Sequence, residues 1–302
     1  MKNPKETFVI AQFTDCHLFA DKQLQHYGAN VWDNLNSVLA DITARTNINC
    51  AVFTGDLTQD HTEESYQHFV QAIKQANFKV PVYFLAGNHD DRLLLNKYLT
   101  KPTFQTAKTI NLDSWQIQLL DSKSDTPSGL VTKQSLEMLL QNINNDKFQL
   151  VMMHHHPINV GYYIDKHGLL AQKVFWESIG KINERSQSIK AIACGHVHRA
   201  VHLFKNQVDV FTCPATSVQF GETKEDIGSI LPSYRLFYLK NNGEIRSEVI
   251  NHQHPEMITL MHDSGGNRQN TVDALAEIIE HYKAQGYKFV NLETLLGISD
   301  KG

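Results

Sequence analysis

Cysteine is scarce in this chain. The four present, Cys16, Cys50, Cys194 and Cys213, are scattered through 302 residues with no C-x-x-C pair. That spacing argues against a disulfide framework and for reduced thiols in a cytosolic protein. Long apolar runs are missing too, so no segment is expected to span a bilayer. The opening residues, MKNPKETFVIAQFTD, lack the apolar stretch and small-residue cleavage site of a signal peptide. The expectation is a cytoplasmic protein with no membrane partner. An excess of basic charge is also missing: 28 Lys and Arg stand against 32 Asp and Glu, for a formal net charge of -4. This excludes binding of nucleic acid through a broad basic surface, and no nucleic-acid partner is expected. Internal repeats and low-complexity segments are absent as well.

What the chain does have is histidine, 16 of them, several in tight clusters. Histidine is the commonest metal ligand, so their positions matter. Short apolar runs rich in β-branched and aromatic residues read as buried strands: 8–13 (FVIAQF), 50–53 (CAVF), 80–85 (VPVYFL), 149–153 (QLVMM) and 189–193 (IKAIA). Further strands are expected at 115–120, 208–211 and 234–239. Helical patterns at 33–45, 62–76, 132–142 and 169–184 alternate with them, which predicts an α/β architecture. Thr62 is placed to cap the second helix, with two acidic residues in its first turn. Around 251–255 the chain turns polar, which divides it into residues 1–252 and 253–302.

Five of the strand-like runs end alike. They lead into Thr14-Asp15-Cys16-His17, Thr54-Gly55-Asp56, Ala86-Gly87-Asn88-His89-Asp90, His154-His155-His156-Pro157 and Cys194-Gly195-His196-Val197-His198. The carboxyl ends of strands form the ligand crevice of open α/β sheets, so oxygen and imidazole donors at five strand ends converge. A mixed Asp, Asn and His set suits Mn, Fe or Zn. Two such ions about 3.5–4 Å apart can clamp a phosphate and generate a hydroxide near neutral pH. One carboxylate has to bridge them, and Asp56, held by a glycine turn, is the natural candidate. Each motif alone has a plainer reading: D-x-H and G-D as turns, G-N-H-D as a helix start with Asp90 capping residues 91–99, and G-H-x-H as a surface strand with both imidazoles on one side. The ordered set of five favours a dinuclear site. Asp60 reads equally as a partner orienting a ligand or as a solvated charge at a helix N-terminus. Asn36, Tyr162 and His167 are further candidates to approach substrate, while Cys16 and Cys194 read as packing residues.

The ordered motifs D-x-H, G-D, G-N-H-D, H-x-P and G-H-x-H resemble the signature of the calcineurin-like metallophosphoesterases. The segments Gly55–Asp60, HHHP and Cys213–Phe220 look most like the class III cyclic nucleotide phosphodiesterases, over roughly residues 7–250. The resemblance implies a four-layer αββα sandwich of two mixed β-sheets flanked by helices. It implies one metal on Asp15, His17, Asp56 and His198, and a second on Asp56, Asn88, His155 and His196. Within the triple histidine the H-x-P pattern selects His155, and strand alternation then sends its neighbours elsewhere. His89, with Asn88 as an orienting group, takes the catalytic place beside the phosphate. The implied activity is hydrolysis of cyclic AMP to 5'-AMP through a metal-bridging hydroxide. The rival readings are a broader phosphodiesterase acting on glycerophosphodiesters or nucleotides, and a non-enzymatic scaffold. The implied cofactors are two Mn or Fe ions, with Zn also accommodated, and the substrate partner is a small phosphodiester.

Residues 253–302 fall outside that pattern. The run at 258–268 (ITLMHDSGGNR) and the helix and strand patterns at 271–285 and 287–296 resemble the C-terminal end of polysaccharide deacetylases. The metal motifs T-F-D-D and H-[ST]-x-x-H of that family are absent, so His262 has no metal site to serve. The tail is therefore expected to be a small, non-catalytic αβ appendage. Val272, Leu275, Ile278, Ile279 and Tyr282 give its helix an apolar face in need of a partner, which leaves a homodimer open.

Overall fold

A computed structural model describes residues 7–186, 188–221, 223, 227–251, 269–284 and 289. Two compact units are present, Met1–His252 and Gln253–Gly302. Twelve strands of the first unit build two six-stranded sheets. They are β1 (Thr7–Phe13), β2 (Cys50–Phe53), β3 (Val82–Phe84), β4 (Phe104–Gln105), β5 (Thr109–Asn111) and β6 (Trp115–Leu119). After them come β7 (Phe148–Met153), β8 (Ile189–Cys194), β9 (His202–Lys205), β10 (Val208–Thr212), β11 (Ser233–Lys240) and β12 (Ile245–Asn251). The first sheet runs β12-β11-β1-β2-β3-β4 and the second β9-β10-β8-β7-β6-β5. Within the first, β1 to β4 are parallel neighbours and β11 and β12 antiparallel ones. Within the second, β6, β7, β8 and β10 are parallel, with β5 and β9 antiparallel at the edges.

Side-chain alternation explains why both sheets are covered on both faces. In β1 and β2, Val9, Ala11, Phe13, Ala51 and Phe53 pack under helices α1 (Val31–Ala44), α2 (Glu63–Ala76) and α3 (Arg92–Tyr98). The intervening Ile10, Cys50 and Val52 meet Leu150, Met152, Ala191 and Ala193 of the other sheet. On the far side, Val151, Met153, Ile192 and Cys194 pack under α4 (Lys133–Asn142) and α5 (Gln172–Ser186). Helices, sheet, sheet and helices follow in that order, the four-layer αββα arrangement expected. The runs are apolar throughout because both faces of each strand are buried.

Helix ends follow local chemistry. Thr62 and Thr132 cap α2 and α4 by accepting the amides of Ser65 and Ser135. The short helix after G-N-H-D is capped by Asp91, whose side chain accepts from Leu93 and Leu94. Asp90 is not its cap. Helix α5 starts later than its pattern suggested, at Gln172, because a 3-10 turn at Tyr163–His167 precedes it. All four cysteines are free and buried, with Cys16 and Cys194 in the two helix-facing cores.

In the second unit the described residues form one helix, α6 (Gln269–Ala284), where the pattern at 271–285 predicts it. Ile278, Ile279 and Tyr282 are half-buried and Leu275 is exposed. The deacetylase-like run at 258–268 lies outside the described residues, as does 287–296 apart from Phe289. Among the described residues, no helix is long and apolar enough to cross a membrane.

Phe69 of α2 joins the layers above the first sheet, its ring centroid 4.8 Å from Phe53 and 6.2 Å from Phe13. Truncating it leaves a cavity that the surrounding rings cannot close. Phe69→Ala is expected to cost about 3–5 kcal/mol, read as a lower midpoint in denaturant unfolding with unchanged slope.

Candidate metal centre

The parallel neighbours β1, β2 and β3 bring three motif loops to one edge of the first sheet. The parallel pair β7 and β8 brings two more to the second. Backbone contacts then lock the loops together. Asp15 and His17 donate their amides to Gly55 O (2.8 Å) and Asp56 O (3.1 Å). Thr216 and Ser217 donate to Thr14 O and Asp15 O, tying the loop after β10 to the loop after β1. Five donor residues sit in the left-handed region, with φ of 56° at Asp15, 48° at His17, 58° at Asp56, 66° at His196 and 52° at His198. Asp and His tolerate that conformation better than most residues, and such strain clusters at functional sites. The imidazoles of His196 and His198 therefore share the site through successive left-handed turns beyond the end of β8, and not through strand alternation. At Gly87 a Cβ would lie 2.1 Å from Asp56 Oδ1 and 2.4 Å from Asp56 N, so only glycine admits this approach.

The side chains meet around Asp56. Its Oδ1 accepts the His89 amide at 2.9 Å, and its Oδ2 lies 3.3 Å from His154 Nε2 and 3.8 Å from His17 Nε2. His154 Nε2 is also 3.1 Å from Asn88 Oδ1. On the other side, His198 Nε2 is 3.3 Å from Asp15 Oδ1 and 3.1 Å from His17 Nε2. Donor atoms of Asp15, His17 and His198, of Asp15, Asp56 and His154, and of His154, His155 and His196 each fall within 4.8 Å of one another.

The three rings of the triple histidine, of which His155 is the one expected at the site, differ in what they contact. His154 Nδ1 contacts Thr54 O at 2.8 Å, an N–H donation that leaves Nε2 for the site. His198 is held the same way, Nδ1 to Val218 O at 2.8 Å. The His155 ring nitrogens are both engaged elsewhere. Nε2 faces Pro127 O at 3.2 Å, and Nδ1 faces Ser122 Oγ at 2.9 Å, which also accepts the His155 amide. In the tautomer that donates Nε2–H to Pro127 O, Nδ1 accepts from Ser122 Oγ. His156 turns to Asp165, Nε2 to Oδ1 at 3.2 Å. Strand β7 stops at Met153, so alternation does not govern these three residues.

The electrostatics suit cations. Burial, first of all, pushes His17, His155 and His196 well below the usual imidazole range, which keeps them neutral. Burial also pulls on His154, but the Asp56 charge and hydrogen bond outweigh it and hold the imidazolium up to about 9. Burial works against the Asp56 carboxylate, yet the His154 charge keeps it well below the carboxylate range. Asp15 Oδ1 and His196 Nε2 are buried without a hydrogen-bond partner. Orphaned acceptors of this kind are costly unless something else satisfies them. A carboxylate oxygen and imidazole nitrogens are the donors a divalent transition metal takes, so the residues fit the group.

Asp90 is the residue that motif reading missed. It is buried beside the cluster and accepts the amides of Asp56 and Gly87 at Oδ2 and of Leu57 at Oδ1, each at 2.8 Å. One carboxylate thus fixes both turns that carry Asp56 and Asn88. Asp60 proves to be a loop anchor, accepting Ala20 N (2.7 Å) and Thr62 Oγ1 (2.7 Å). A cavity of about 250 Å³ opens over the donors, lined also by Tyr27, Tyr163, Lys166, His167 and Phe220. His167 reaches it as expected. Tyr162 instead stacks under the Arg199 guanidinium, and Asn36 donates to Trp32 O within α1.

Fold and site together define a cation-binding αββα protein with its donors on the shared sheet edge. The family model described as calcineurin-like phosphoesterase matches residues 8–200. A probable cyclic nucleotide phosphodiesterase from Colwellia psychrerythraea is 47% identical over 81% of this chain and 95% of its own length. The 3',5'-cyclic adenosine monophosphate phosphodiesterase CpdA of Escherichia coli (strain K12) is 32% identical over 80% of this chain and 88% of its own. Among solved structures, a dimetal phosphatase from Danio rerio shares the fold at 12% identity, with a TM-score of 0.52 over 82% of this chain and 99% of that one. The chain belongs to the calcineurin-like phosphoesterase family.

Asp90→Ala would orphan three buried amides at ~1–3 kcal/mol each. It is expected to lower stability by about 3 kcal/mol or more in denaturant unfolding. Asp90→Asn, which keeps one carbonyl acceptor, should lose less.

Proposed function

We propose that the protein hydrolyses 3',5'-cyclic nucleotides, cyclic AMP to 5'-AMP, with a pair of divalent cations. Asp15, His17, Asp56 and His198 hold one cation, and Asp56, Asn88, His154 and His196 the other. His154 replaces His155 in this reading because its Nε2 faces both Asp56 and Asn88. The observation that carries the proposal is the gathering of these donors on one sheet edge, in a chain whose relatives bear cyclic nucleotide phosphodiesterase names. A non-enzymatic scaffold has no use for so complete a set. The donors accept Mn or Fe, and Zn as well.

Such a pair supplies Lewis acidity and a nucleophile near neutral pH. The protein supplies the rest. Asp56 shares its carboxylate between the two sites. Asn88 contributes an amide oxygen, and its own carbonyl accepts from Lys123 Nζ at 2.9 Å, which steadies the turn. His89 lines the cavity, and burial lowers its pKa, so a neutral imidazole with one N–H stands ready for the departing oxygen. The His61 ring stacks on it at 5.5 Å, and His61 Nδ1 bonds His89 O at 2.9 Å, which holds its orientation.

One observation favours a second reading, a broader phosphodiesterase. A further cavity of about 280 Å³ lies beyond Asn88 and His89, lined by His61, Lys123, Ser124 and Thr126. It would take the second substituent of a linear diester such as a glycerophosphodiester. A panel of cyclic AMP, cyclic GMP, glycerophosphodiesters and bis(p-nitrophenyl) phosphate with Mn(II) separates the two readings. Among the described residues the gathered donors all lie at or before His198, and this reading gives residues 253–302 no catalytic role. The four unpaired, buried thiols fit the reducing cytoplasm.

Metal analysis and turnover of variants test the assignment. Asp56→Ala should lose bound metal and activity together, and full retention of both would sink the proposal. His154→Ala should lose about one equivalent of metal, whereas His155→Ala keeps both. His89→Ala should retain metal and slow turnover by about 10²–10⁴-fold.

A further inference from the structure

The cavity over the donors has one aromatic side that the chemistry of phosphate alone does not require. Tyr27, Tyr163 and Phe220 line it beside His17, Asp56, Asn88 and His198. Phe220 stacks flat on the His198 ring, with centroids 3.9 Å apart and planes at 2°. Tyr163 lies 5.6 Å and Tyr27 6.5 Å from Phe220. His26 stacks on His17 at 5.2 Å and presents its edge to Tyr27 at 4.6 Å. The rings behind the two imidazoles therefore continue outward as a wall that ends in Tyr27.

Tyr27 occupies this place against its own backbone preference. It is the first turn residue of a tight hairpin between Gln25–His26 and Ala29–Asn30, with φ of 49° followed by 83° at Gly28. A two-residue turn with both φ positive is the type in which Asn-Gly is strongly preferred. A bulky aromatic there is an outlier, and outliers of this kind persist where the side chain serves a site. Nor does packing account for it, because Tyr27 is 49% exposed. The hairpin is anchored at its far end, where Asn30 caps α1 through Asp33 N at 3.1 Å, so Tyr27 is held out over the cavity on a stiff arm. At about 250 Å³, against ~30 Å³ for one water, the cavity has room for much more than a phosphate group.

We propose that Tyr27, backed by Phe220 and Tyr163, is the residue against which the nucleobase of the substrate stacks, so that this wall selects nucleoside phosphoesters over simple ones. The inference rests on the phosphodiesterase reading of the same site and adds the part of the substrate that is recognised. Base stacking tolerates any base, because each has a π-face. The wall therefore favours nucleotides as a class and separates purine from pyrimidine only weakly.

Calorimetric titration of the Mn-loaded full chain with AMP and with inorganic phosphate tests this. Tyr27→Asn removes the ring and supplies the residue the turn prefers, so the variant should unfold at the same or a higher temperature. It should bind AMP about 5- to 150-fold more weakly, the range to which ~1–3 kcal/mol of stacking converts. Phosphate binding should not change, and Tyr27→Phe should bind AMP as the parent does. The proposal is overturned if Tyr27→Asn weakens AMP and phosphate equally, if it leaves AMP affinity intact, or if the parent binds AMP no better than phosphate. Absence of cyclic AMP turnover with the AMP preference intact rejects the proposed reaction and leaves the nucleobase wall standing.

Discussion

The Asp56 carboxylate is the contact from which the rest of the centre follows. Its two oxygens face loops from both sheets: Oδ1 takes the His89 amide of the first, and Oδ2 the His154 imidazole of the second. Its backbone sits in a left-handed conformation, held there by Asp90 from one side and by the His17 amide from the other. Gly87 leaves the space that Asp56 fills. Without this residue the two sheets would still pack through Ile10, Val52, Leu150 and Met152, and Asp15, beside His196 and His198, would be left as the carboxylate between their edges.

That charge also explains the balance of the surroundings. Burying carboxylates beside one another is unfavourable unless a cation or an imidazolium compensates. Beside Asp56 the His154 imidazolium, held up to about 9, is the group that compensates. A cation held by His154 Nε2, as proposed, would displace that proton, so binding and deprotonation would be linked. Hydrogen bonds from the Nδ1 atoms of His154 and His198 to main-chain carbonyls turn both Nε2 atoms toward the site. The strained backbone of the loops keeps the donors aimed, and the cores beneath them hold that strain in place.

Much of this was legible in the sequence because it is written at strand ends. FVIAQF, CAVF and IKAIA are apolar on both faces, which marks buried parallel strands, and the donor-rich segments follow them directly. The αββα layering and the placing of His17, Asp56, Asn88, His89, His196 and His198 around one cavity, with Asp15 buried behind them, follow from that pattern. What stayed hidden depends on distant backbone. Asp90 reads as a helix cap because a cap and a loop anchor have the same composition, and only the fold shows that its partners are Asp56, Leu57 and Gly87. His155 is selected by the H-x-P pattern, and the contacts that bear on the proposed choice of His154, made through Thr54, Ser122 and Pro127, are far away in sequence. The edge strands at Thr109–Asn111, His202–Lys205 and Ile245–Asn251 are short or half-exposed and carry no continuous apolar run. Tyr27-Gly28 did carry a signal, a turn dipeptide with an aromatic where asparagine would be expected.

The central claim is that loops from two sheets deliver their donors to a pair of adjacent cations bridged by Asp56. Electron paramagnetic resonance of the Mn(II)-loaded protein tests it most directly. Two ions sharing a carboxylate are predicted to give an exchange-coupled, many-line spectrum at two equivalents per chain. The six-line spectrum of isolated Mn(II), persisting at saturation, would contradict the account.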